Sequence, residues 1–269
     1  MSIPYGELVT VTPYASYVLQ DNPGLMTLEG TNTWLLRAPG ADRTILVDPG
    51  QNDAHPNEMS HLEAVLNAAG EIAAIVLTHG HFDHGEIAQQ VRDRTGAPIR
   101  AINPDLCVGA PALTDGEIID SAGLKIQVWA TPGHSSDSAS FVIDDFGGHG
   151  GAVLTGDTVL GRGTTVVAYP DGDLGSYLAS LRRLRELGDL TVLPGHGPVL
   201  QHAPEVVQFY LDHREQRLQQ VRDALQVLGP DAGSMDVVRH VYTDVDEALW
   251  PFADLSVQAQ LAYLRDETR

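Results

Sequence analysis

In the stretch Thr78-His79-Gly80-His81-Phe82-Asp83-His84-Gly85-Glu86, three histidines and one aspartate fall within six positions. Imidazole nitrogens and carboxylate oxygens are the donors that Zn²⁺ and similar ions prefer. The apolar run at residues 72–77 is short and rich in β-branched residues, which indicates a buried strand just before the cluster. In an extended chain His79 and His81 point the same way and can share one ion. Asp83 and His84 fall where the chain turns and can face a second ion nearby.

Three later segments share a pattern of an apolar run, a glycine and a residue able to bind a metal. They are residues 130–135 with His134, residues 153–158 with Asp157, and residues 190–197 with His196. Glycine lets the backbone turn sharply and approach a metal centre closely. Each segment is weak evidence alone, but their order after His-x-His-x-Asp-His strongly indicates a site with two metal ions.

This set of motifs resembles the metallo-β-lactamase-fold hydrolase superfamily. The resemblance implies one ion held by His79, His81 and His134, and a second held by Asp83, His84 and His196, with Asp157 bridging both. It further implies that a hydroxide bridging two divalent ions is the nucleophile. Zn²⁺ is the expected metal, although histidine and carboxylate donors also suit Mn and Fe.

The donor types separate the chain from two branches of that superfamily. True class B β-lactamases lack an aspartate where this chain has Asp157, and several have cysteine there. The only cysteine here, Cys107, lies in none of the motifs. Flavodiiron-type oxidoreductases carry glutamate at the position of His81. The pattern therefore argues for a metallo-hydrolase and against both antibiotic hydrolysis and dioxygen reduction.

A narrower resemblance, to the beta-lactamase-like protein 2 group, covers most of the chain. It rests on residues 26–34, 47–50, 161–165, 173–178 and 194–199, and on a later helix bearing His213 and Arg214. The group includes single-strand-selective endoribonucleases, and many of its members are described as glyoxalase II-like. True glyoxalase II typically has Glu-Tyr after its last ligand histidine, whereas Gly197-Pro198 follows here. The resemblance implies substrate contacts from Asn32, Arg162, Thr164 and Thr165.

Two aspartates have further predicted roles. Asp83 is the candidate catalytic residue, which would orient the hydroxide and carry a proton toward the leaving group. Asp48 ends a strand in Val-Asp-Pro-Gly, where it would either orient a ligand histidine from behind or serve only as a turn residue. The remaining histidines match no ligand motif and are interpreted as structural or surface residues: His55, His61, His149, His202, His213 and His240.

Composition favours a cytoplasmic protein that does not enter a membrane. A single cysteine excludes an intrachain disulfide framework and suits a reducing compartment. Residues 1–7 have neither a basic start nor an apolar core, so we expect no signal peptide. No apolar run approaches the roughly 20 residues that cross a bilayer. The sequence leaves the oligomeric state open.

The net charge of −20 bears on the partner. Nucleic acids are bound largely through lysine and arginine, but Lys125 is the only lysine. The arginine groups 182–185 and 214–222 are interpreted as solvated helix faces. Two divalent ions with their seven ligands and a hydroxide would carry about +1, which suits a small anionic substrate. RNA is therefore kept as an alternative partner, which the acidic charge of the chain disfavours.

The order of elements, together with the resemblance, predicts an α+β fold with four αββα layers. Residues 1–204 would form the catalytic domain and residues 205–269 a small helical domain, a truncated winged-helix-like unit without its wing hairpin. Within them, helices are expected at residues 85–94, 174–187, 205–228, 235–241 and 255–265.

Three functions remain open from the sequence. The first is hydrolysis of a small anionic ester, thioester or lactone at a dinuclear metal site. The second is single-strand-selective endoribonuclease activity, which the narrower resemblance favours and the acidity disfavours. The third is a non-catalytic binding protein with a relict metal site, which ranks last because all seven donor positions are filled.

Overall fold

A computed structural model describes residues 3–53, 60–243 and 245–267; the predicted structural or surface residue His55 lies outside them. The strands of the first sheet are β1 (Leu8–Thr12), β2 (Ala15–Leu19), β3 (Asn32–Leu36), β4 (Arg43–Val47), β5 (Glu71–Val76) and β6 (Ile99–Arg100). The strands of the second sheet are β7 (Ile118–Ser121), β8 (Leu124–Ala130), β9 (Ala139–Ile143), β10 (Ala152–Gly156) and β11 (Thr191–Pro194).

The helices separate or follow these strands. They are α1 (His61–Ala69), α2 (Phe82–Gly85), α3 (Ala88–Thr95), α4 (Leu174–Arg185), α5 (Ala203–Leu228), α6 (Ser234–Val241) and α7 (Trp250–Glu267), with short 3₁₀ turns at Pro104–Leu106 and Glu247–Leu249. Local capping fixes several starts. At α4, for example, Asp173 Oδ1 accepts a hydrogen bond of 2.7 Å from Ser176 N.

Both sheets are mixed, and their strand order determines which strand ends meet. The first sheet runs β1-β2-β3-β4-β5-β6, with β4, β5 and β6 parallel. The second runs β11-β10-β9-β8-β7, with β10 and β11 parallel and β9 antiparallel to both β8 and β10. The carboxyl ends of β8, β10 and β11 therefore lie along one edge of the second sheet, as those of β4 and β5 do in the first.

The core confirms the predicted αββα layering. One apolar cluster, including Trp34, Val47, Phe141 and Leu154, lies between the two sheets. A second cluster packs α1 and α3 on the outer face of the first sheet. A third packs helices α4 to α7 on the outer face of the second sheet. The molecule is therefore an α+β sandwich of two sheets between helical layers.

The expected single helix at residues 85–94 is wrong in its extent. The structure instead has the short α2 before residue 86 and α3 after it. Gly50 causes the break, because its N–H donates to His84 O at 2.9 Å and its carbonyl accepts from Ile87 N at 3.1 Å. These two bonds remove His84 and Ile87 from a continuous helical ladder. Asp83 and His84 consequently lie in a helical turn rather than in an open loop.

The C-terminal region is helical throughout the part that the structure describes. No strand follows β11 there, and α7 begins at Trp250, earlier than the expected residue 255. The cluster that covers the second sheet contains Val153 and Leu174 as well as Val237 and Val257. The C-terminal helices thus share one core with the catalytic layers, and the predicted boundary at residue 204 stays a prediction. Among the described residues, no helix combines the length and apolar character needed to cross a bilayer.

Candidate metal centre

Potential metal ligands follow the ends of strands in both sheets and converge at one site. His79 and His81 follow β5, and His134, Asp157 and His196 follow the ends of β8, β10 and β11. Asp83 and His84 come from α2. Their side chains form three overlapping groups in which the donor atoms lie within 4.8 Å of one another. All seven sequence-predicted ligands are therefore brought together.

The first triad consists of His79, His81 and His134. His79 Nε2 lies 3.0 Å from His81 Nδ1, which lies 3.1 Å from His134 Nε2. The imidazole rings stand nearly perpendicular to one another, with interplanar angles of 77 to 85°. Three nitrogens that converge from three directions form an open site for one cation.

The second triad consists of Asp83, His84 and His196. Asp83 Oδ2 lies 3.2 Å from His196 Nε2 and 3.7 Å from His84 Nε2. The two histidine Nε2 atoms are 3.2 Å apart. This second donor set mixes two imidazoles with one carboxylate and lies beside the first.

Asp157 links the two triads through its two oxygens. Its Oδ1 lies 3.4 Å from His84 Nε2 and 3.5 Å from His196 Nε2, while its Oδ2 lies 3.7 Å from His134 Nε2. Oδ1 is buried without a hydrogen-bond partner among the described residues. A buried carboxylate oxygen in that state is costly unless a cation compensates it. The position of Asp157 therefore fits a ligand shared by two ions.

Close backbone approach makes this geometry attainable. A Cβ atom added to Gly195 would lie 2.7 Å from His84 Cε1 and 2.8 Å from Asp157 Oδ1. Gly156 has φ of +48°, and a Cβ there would lie 2.5 Å from Thr78 Oγ1. Glycine is required at both positions because any larger residue would collide with the donor cluster or with its support.

The outer ring nitrogens show which atoms face the centre. Nδ1 of His84 lies 2.8 Å from Asp48 Oδ2, that of His134 lies 2.9 Å from Val166 O, and that of His196 lies 3.1 Å from Gly30 O. Since carbonyl and carboxylate oxygens only accept, each Nδ1 carries a proton, which leaves Nε2 as the atom that faces the centre and can bind an ion.

The protonation of His79 at Nδ1 is fixed indirectly, through Thr78. Thr78 Oγ1 donates to Asp48 Oδ2 at 2.6 Å and so can accept from His79 Nδ1 at 3.0 Å. Lone pairs that face one another at about 3 Å repel unless a cation lies between them. The residues therefore fit two divalent ions, and the donor set is consistent with the expectation of metal binding.

Asp48 has the environment of a supporting residue. It is 0% exposed and accepts hydrogen bonds from Thr78 N at 2.8 Å, from Thr78 Oγ1 and from His84. Its φ of +51° lies in the left-handed region, which aspartate tolerates better than most residues. Asp48 is thus connected to one histidine of each triad, directly to His84 and through Thr78 to His79.

The pKa values describe the protein before ions bind. Burial lowers the pKa of His79 well below its usual value, and neighbouring His84 and His134 lower it further. Burial alone would raise the pKa of Asp157, but His196 and His84 outweigh it and hold that pKa well below its usual range. Burial would also lower the pKa of His196, but Asp157 and Asp83 raise it to about 9. A proton on His196 therefore occupies the place that a metal ion would take.

The four predicted substrate contacts lie in different environments. Asn32 is buried, and its Nδ2 donates to Pro194 O and Gly197 O at 3.0 Å each, so it supports the loop that carries His196. Arg162 is half exposed and forms an ion pair with Glu29. Thr165 is buried with Oγ1 3.1 Å from His134 Nδ1, and Thr164 lines a cavity beside it.

Three features were absent from the sequence-based site. Thr78 connects Asp48 to His79, and Asp171 lies 3.3 Å from His81 Nε2. Arg214, interpreted as solvated, is instead buried, so that interpretation is wrong. Its position was readable from the sequence, because residue 214 falls on the apolar stripe of α5 between Val207 and Leu218. The contacts of Thr78 and Asp171 carry no comparable sequence signal.

Comparison with known proteins agrees with this geometry. The model of the metallo-beta-lactamase superfamily matches residues 26–196, and that of the beta-lactamase associated winged helix domain matches residues 233–269. A beta-lactamase-like protein 2 homolog from Drosophila melanogaster is 33% identical over 93% of this chain and 87% of its own length. An atrochrysone carboxyl ACP thioesterase from Aspergillus fumigatus is 37% identical over 82% of this chain and 67% of its own length.

A solved structure extends the likeness to the whole fold. The beta-lactamase domain protein from Burkholderia ambifaria superposes with a TM-score of 0.82, at 20% identity, over 99% of this chain and 90% of that chain. The family model covers well over half of the chain and includes every residue of the two triads. Both the broad and the narrower resemblance are thereby confirmed. The chain belongs to the metallo-beta-lactamase superfamily and is one of its hydrolases.

Proposed function

We propose that this protein is a dinuclear, zinc-dependent hydrolase of small anionic esters, thioesters or lactones. The observation that carries the proposal is the pair of triads joined by the two oxygens of Asp157. Histidine nitrogens outnumber carboxylates in the donor set, which favours zinc, although Mn and Fe accept the same ligands. The seven ligands, the number of ions and the metal identity are all part of this proposal.

The chain's own residues have distinct tasks in the reaction. When bound, two divalent ions would polarise the oxygen under attack and lower the pKa of a water to about 7. His79, His84, His134 and His196 are held with fixed tautomers by acceptors behind them, so the donor atoms need no reorganisation. The site is thus arranged before the substrate arrives.

Asp83 is the proposed catalytic residue. Its side chain is 11% exposed, whereas His84 and His196 are fully buried, so it lies nearest to incoming substrate in its triad. Burial would raise its pKa, but the hydrogen bond to His196 and the charge of His84 lower it, which keeps the carboxylate ionised. Asp83 would accept a proton from the attacking water and deliver it to the leaving oxygen or sulfur.

Thioesters are the favoured substrate class. The Aspergillus fumigatus relative is named a thioesterase and is similar over most of this chain. A net charge of −20 and a single lysine would oppose the long phosphate contacts that nucleic-acid binding needs. The first observation favours thioester chemistry, and the second disfavours a long polyanionic substrate.

Endoribonuclease activity is the second candidate. The match of residues 233–269 to a beta-lactamase associated winged helix domain agrees with the narrower resemblance, whose group includes endoribonucleases. Against it, the chain carries a net charge of −20 and a single lysine. A non-catalytic binding protein is the third candidate, and the convergence of all seven donors weighs against a relict site.

One turnover experiment separates these candidates. Metal-analysed protein is assayed on simple thioesters, S-lactoylglutathione and a fluorogenic single-stranded RNA, with Asp157→Ala as the variant that removes the shared ligand. Thioester turnover that disappears in Asp157→Ala is the expected result. RNA cleavage that disappears in the variant would replace the proposal with the second candidate, and no turnover of any substrate by protein with both ions bound would leave the third.

A matched pair of variants tests Asp83 itself. Asp83→Asn, compared at equal metal content because Asp83 is also a proposed ligand, should lose about 10²- to 10⁴-fold in kcat, the usual contribution of a positioned acid or base. Asp93→Asn is the control, because Asp93 is an exposed α3 residue whose carboxylate accepts a hydrogen bond from Gln89 on the same helix. Equal kcat values for the two variants would remove Asp83 from the mechanism.

A further inference from the structure

A cavity of about 230 Å³ lies between the catalytic layers and the C-terminal helices. The segment Thr164–Val166 forms one side, and His213, Arg214 and Arg217 of α5 form another. Residues of the region after α6 close it, with Leu249 and Phe252 among them. The cavity is therefore built from both parts of the chain.

The cavity adjoins the metal centre through two residues. Thr165 Oγ1 lies 3.1 Å from His134 Nδ1, and Val166 O lies 2.9 Å from the same nitrogen. Both residues line the cavity, and His134 belongs to the first triad. A molecule in the cavity would therefore lie beside the residues that support the His134 ring from behind, one ring away from the proposed ion.

Arg214 is the most unusual residue in this cavity. It is 4% exposed, one of its terminal nitrogens donates to Thr165 O, and its guanidinium lies 5.1 Å from the ring centroid of Tyr177. Its Nε is buried without a hydrogen-bond partner. Within the described ranges no carboxylate forms an ion pair with it. A buried cation without an anion is strongly unfavourable, so this arrangement calls for an anion from outside the chain.

A second guanidinium reinforces the positive character of the cavity. Arg217 also lines it and lies 4.7 Å from the ring centroid of Tyr242. No described lining residue is acidic, in a chain whose net charge is −20. Burial, Arg214 and Arg217 lower the pKa of His213 to about 4, so His213 is neutral at pH 7. The positive charge of the cavity thus comes from the two arginines.

The remaining walls are apolar. Leu25 and Met26 line the cavity and are exposed, by 67% and 40% respectively. Leu249, Phe252 and Val245 extend the apolar surface from the C-terminal region. Apolar walls around a pair of arginines suit a ligand with an apolar body and one anionic group.

We propose that this cavity is a specificity subsite that holds an anionic group, carboxylate or phosphate, carried by the apolar non-reacting part of the substrate. The subsite rests on the proposed hydrolase function and refines its substrate class. Arg214 and Arg217 bind the anion, and the residues after α6 contact the apolar body. The C-terminal helices therefore take part in substrate selection as well as in packing.

A binding experiment tests the subsite without relying on turnover. The affinity of the metal-loaded full chain is measured for 4-phenylbutyrate, for phenethyl phosphate and for the neutral amide of the first compound. The anions should bind at least about tenfold more tightly than the amide, the range expected for charge-assisted hydrogen bonds. Tighter binding of the carboxylate would assign the anion to an acyl group, and tighter binding of the phosphate would assign it to a phosphorylated leaving group.

Arginine variants separate the subsite from direct metal binding by the anions. Arg217→Met should abolish most of the anion preference, while binding through metal ions persists. Arg222→Met is the control, because Arg222 lies on the same helix but pairs with Glu215 and Glu267 away from this cavity. Arg214→Met provides a second test, with its folding checked first because the residue is buried. No preference in the wild type, or an equal preference in Arg217→Met, overturns the subsite.

Turnover of matched thioesters distinguishes failure of the subsite from failure of the proposed function. A thioester with a terminal carboxylate on its acyl chain is compared with its methyl-terminated counterpart. Arg217→Met should raise KM for the acidic substrate about tenfold and leave kcat nearly unchanged. Hydrolysis of both substrates with no effect of Arg217→Met overturns the subsite alone. Arginine-dependent anion binding without any hydrolysis overturns the proposed function and leaves the subsite standing.

Discussion

Replacing Asp48 by asparagine changes one oxygen of a buried carboxylate into an amide nitrogen. The carboxylate receives three hydrogen bonds, from Thr78 N at 2.8 Å, Thr78 Oγ1 at 2.6 Å and His84 Nδ1 at 2.8 Å. Asparagine tolerates the φ of +51° at this position as well as aspartate does, so the substitution adds no backbone strain. Its effect therefore reports on the side-chain contacts alone.

Neither orientation of the new amide satisfies all three donors. With the nitrogen toward His84, it faces both Thr78 Oγ1 and His84 Nδ1, and the histidine must change tautomer and present an N–H to the metal. With the nitrogen on the other side, it faces the buried N–H of Thr78. A buried unsatisfied group costs about 1–3 kcal/mol. This range agrees with the 10- to 100-fold losses of metal affinity typical of changes behind a ligand.

Competition with a metal chelator measures this loss directly. Asp48→Asn should weaken binding of at least one ion by about 10- to 100-fold relative to Asp93→Asn, the exposed control. Circular dichroism of both metal-free variants checks that the fold is retained. If Asp48→Asn holds both ions as tightly as the control, the proposed support of the ligand histidines is refuted.

Three other predictions concern the same centre. Gly195→Ala places a Cβ about 2.7 Å from His84 Cε1, so the purified variant should fold but lose bound metal, as elemental analysis will show; full metal content would contradict this. Asp171→Asn should change metal affinity by less than about 1 kcal/mol, because the contact of Asp171 with His81 is exposed. A loss of metal affinity as large as that expected for Asp48→Asn would contradict this. Lowering the pH should weaken metal binding, because His196 in the metal-free protein has a pKa of about 9 and its proton must leave; a titration showing equal affinity at pH 8 and pH 6 would contradict this.

The convergence of the seven predicted ligands could be anticipated from the sequence for a physical reason. Each donor follows directly on a strand or on the first motif, and strands that end at the same edge of a sheet bring such residues together. Asp157 and His196 illustrate this, because β10 and β11 are parallel neighbours. The αββα layering itself came from the family resemblance, since periodicity does not reveal which sheet covers which helix.

Features that depend on contacts between distant segments were not readable. The break between α2 and α3 arises from hydrogen bonds to Gly50, which lies more than thirty residues earlier in the chain. The cavity likewise brings Thr165 and Arg217 together, although more than fifty residues separate them in the chain. Arg214 is an intermediate case. Its place on the apolar stripe of α5 predicts that it is buried, whereas only the folded chain shows that its buried Nε has no hydrogen-bond partner among the described residues.

Anomalous X-ray diffraction at the absorption edge of the bound metal would locate the ions in the protein. We expect two peaks, one enclosed by His79, His81 and His134 and one by Asp83, His84 and His196, with Asp157 between them. A single peak, or peaks away from these two triads in protein saturated with metal, would contradict it.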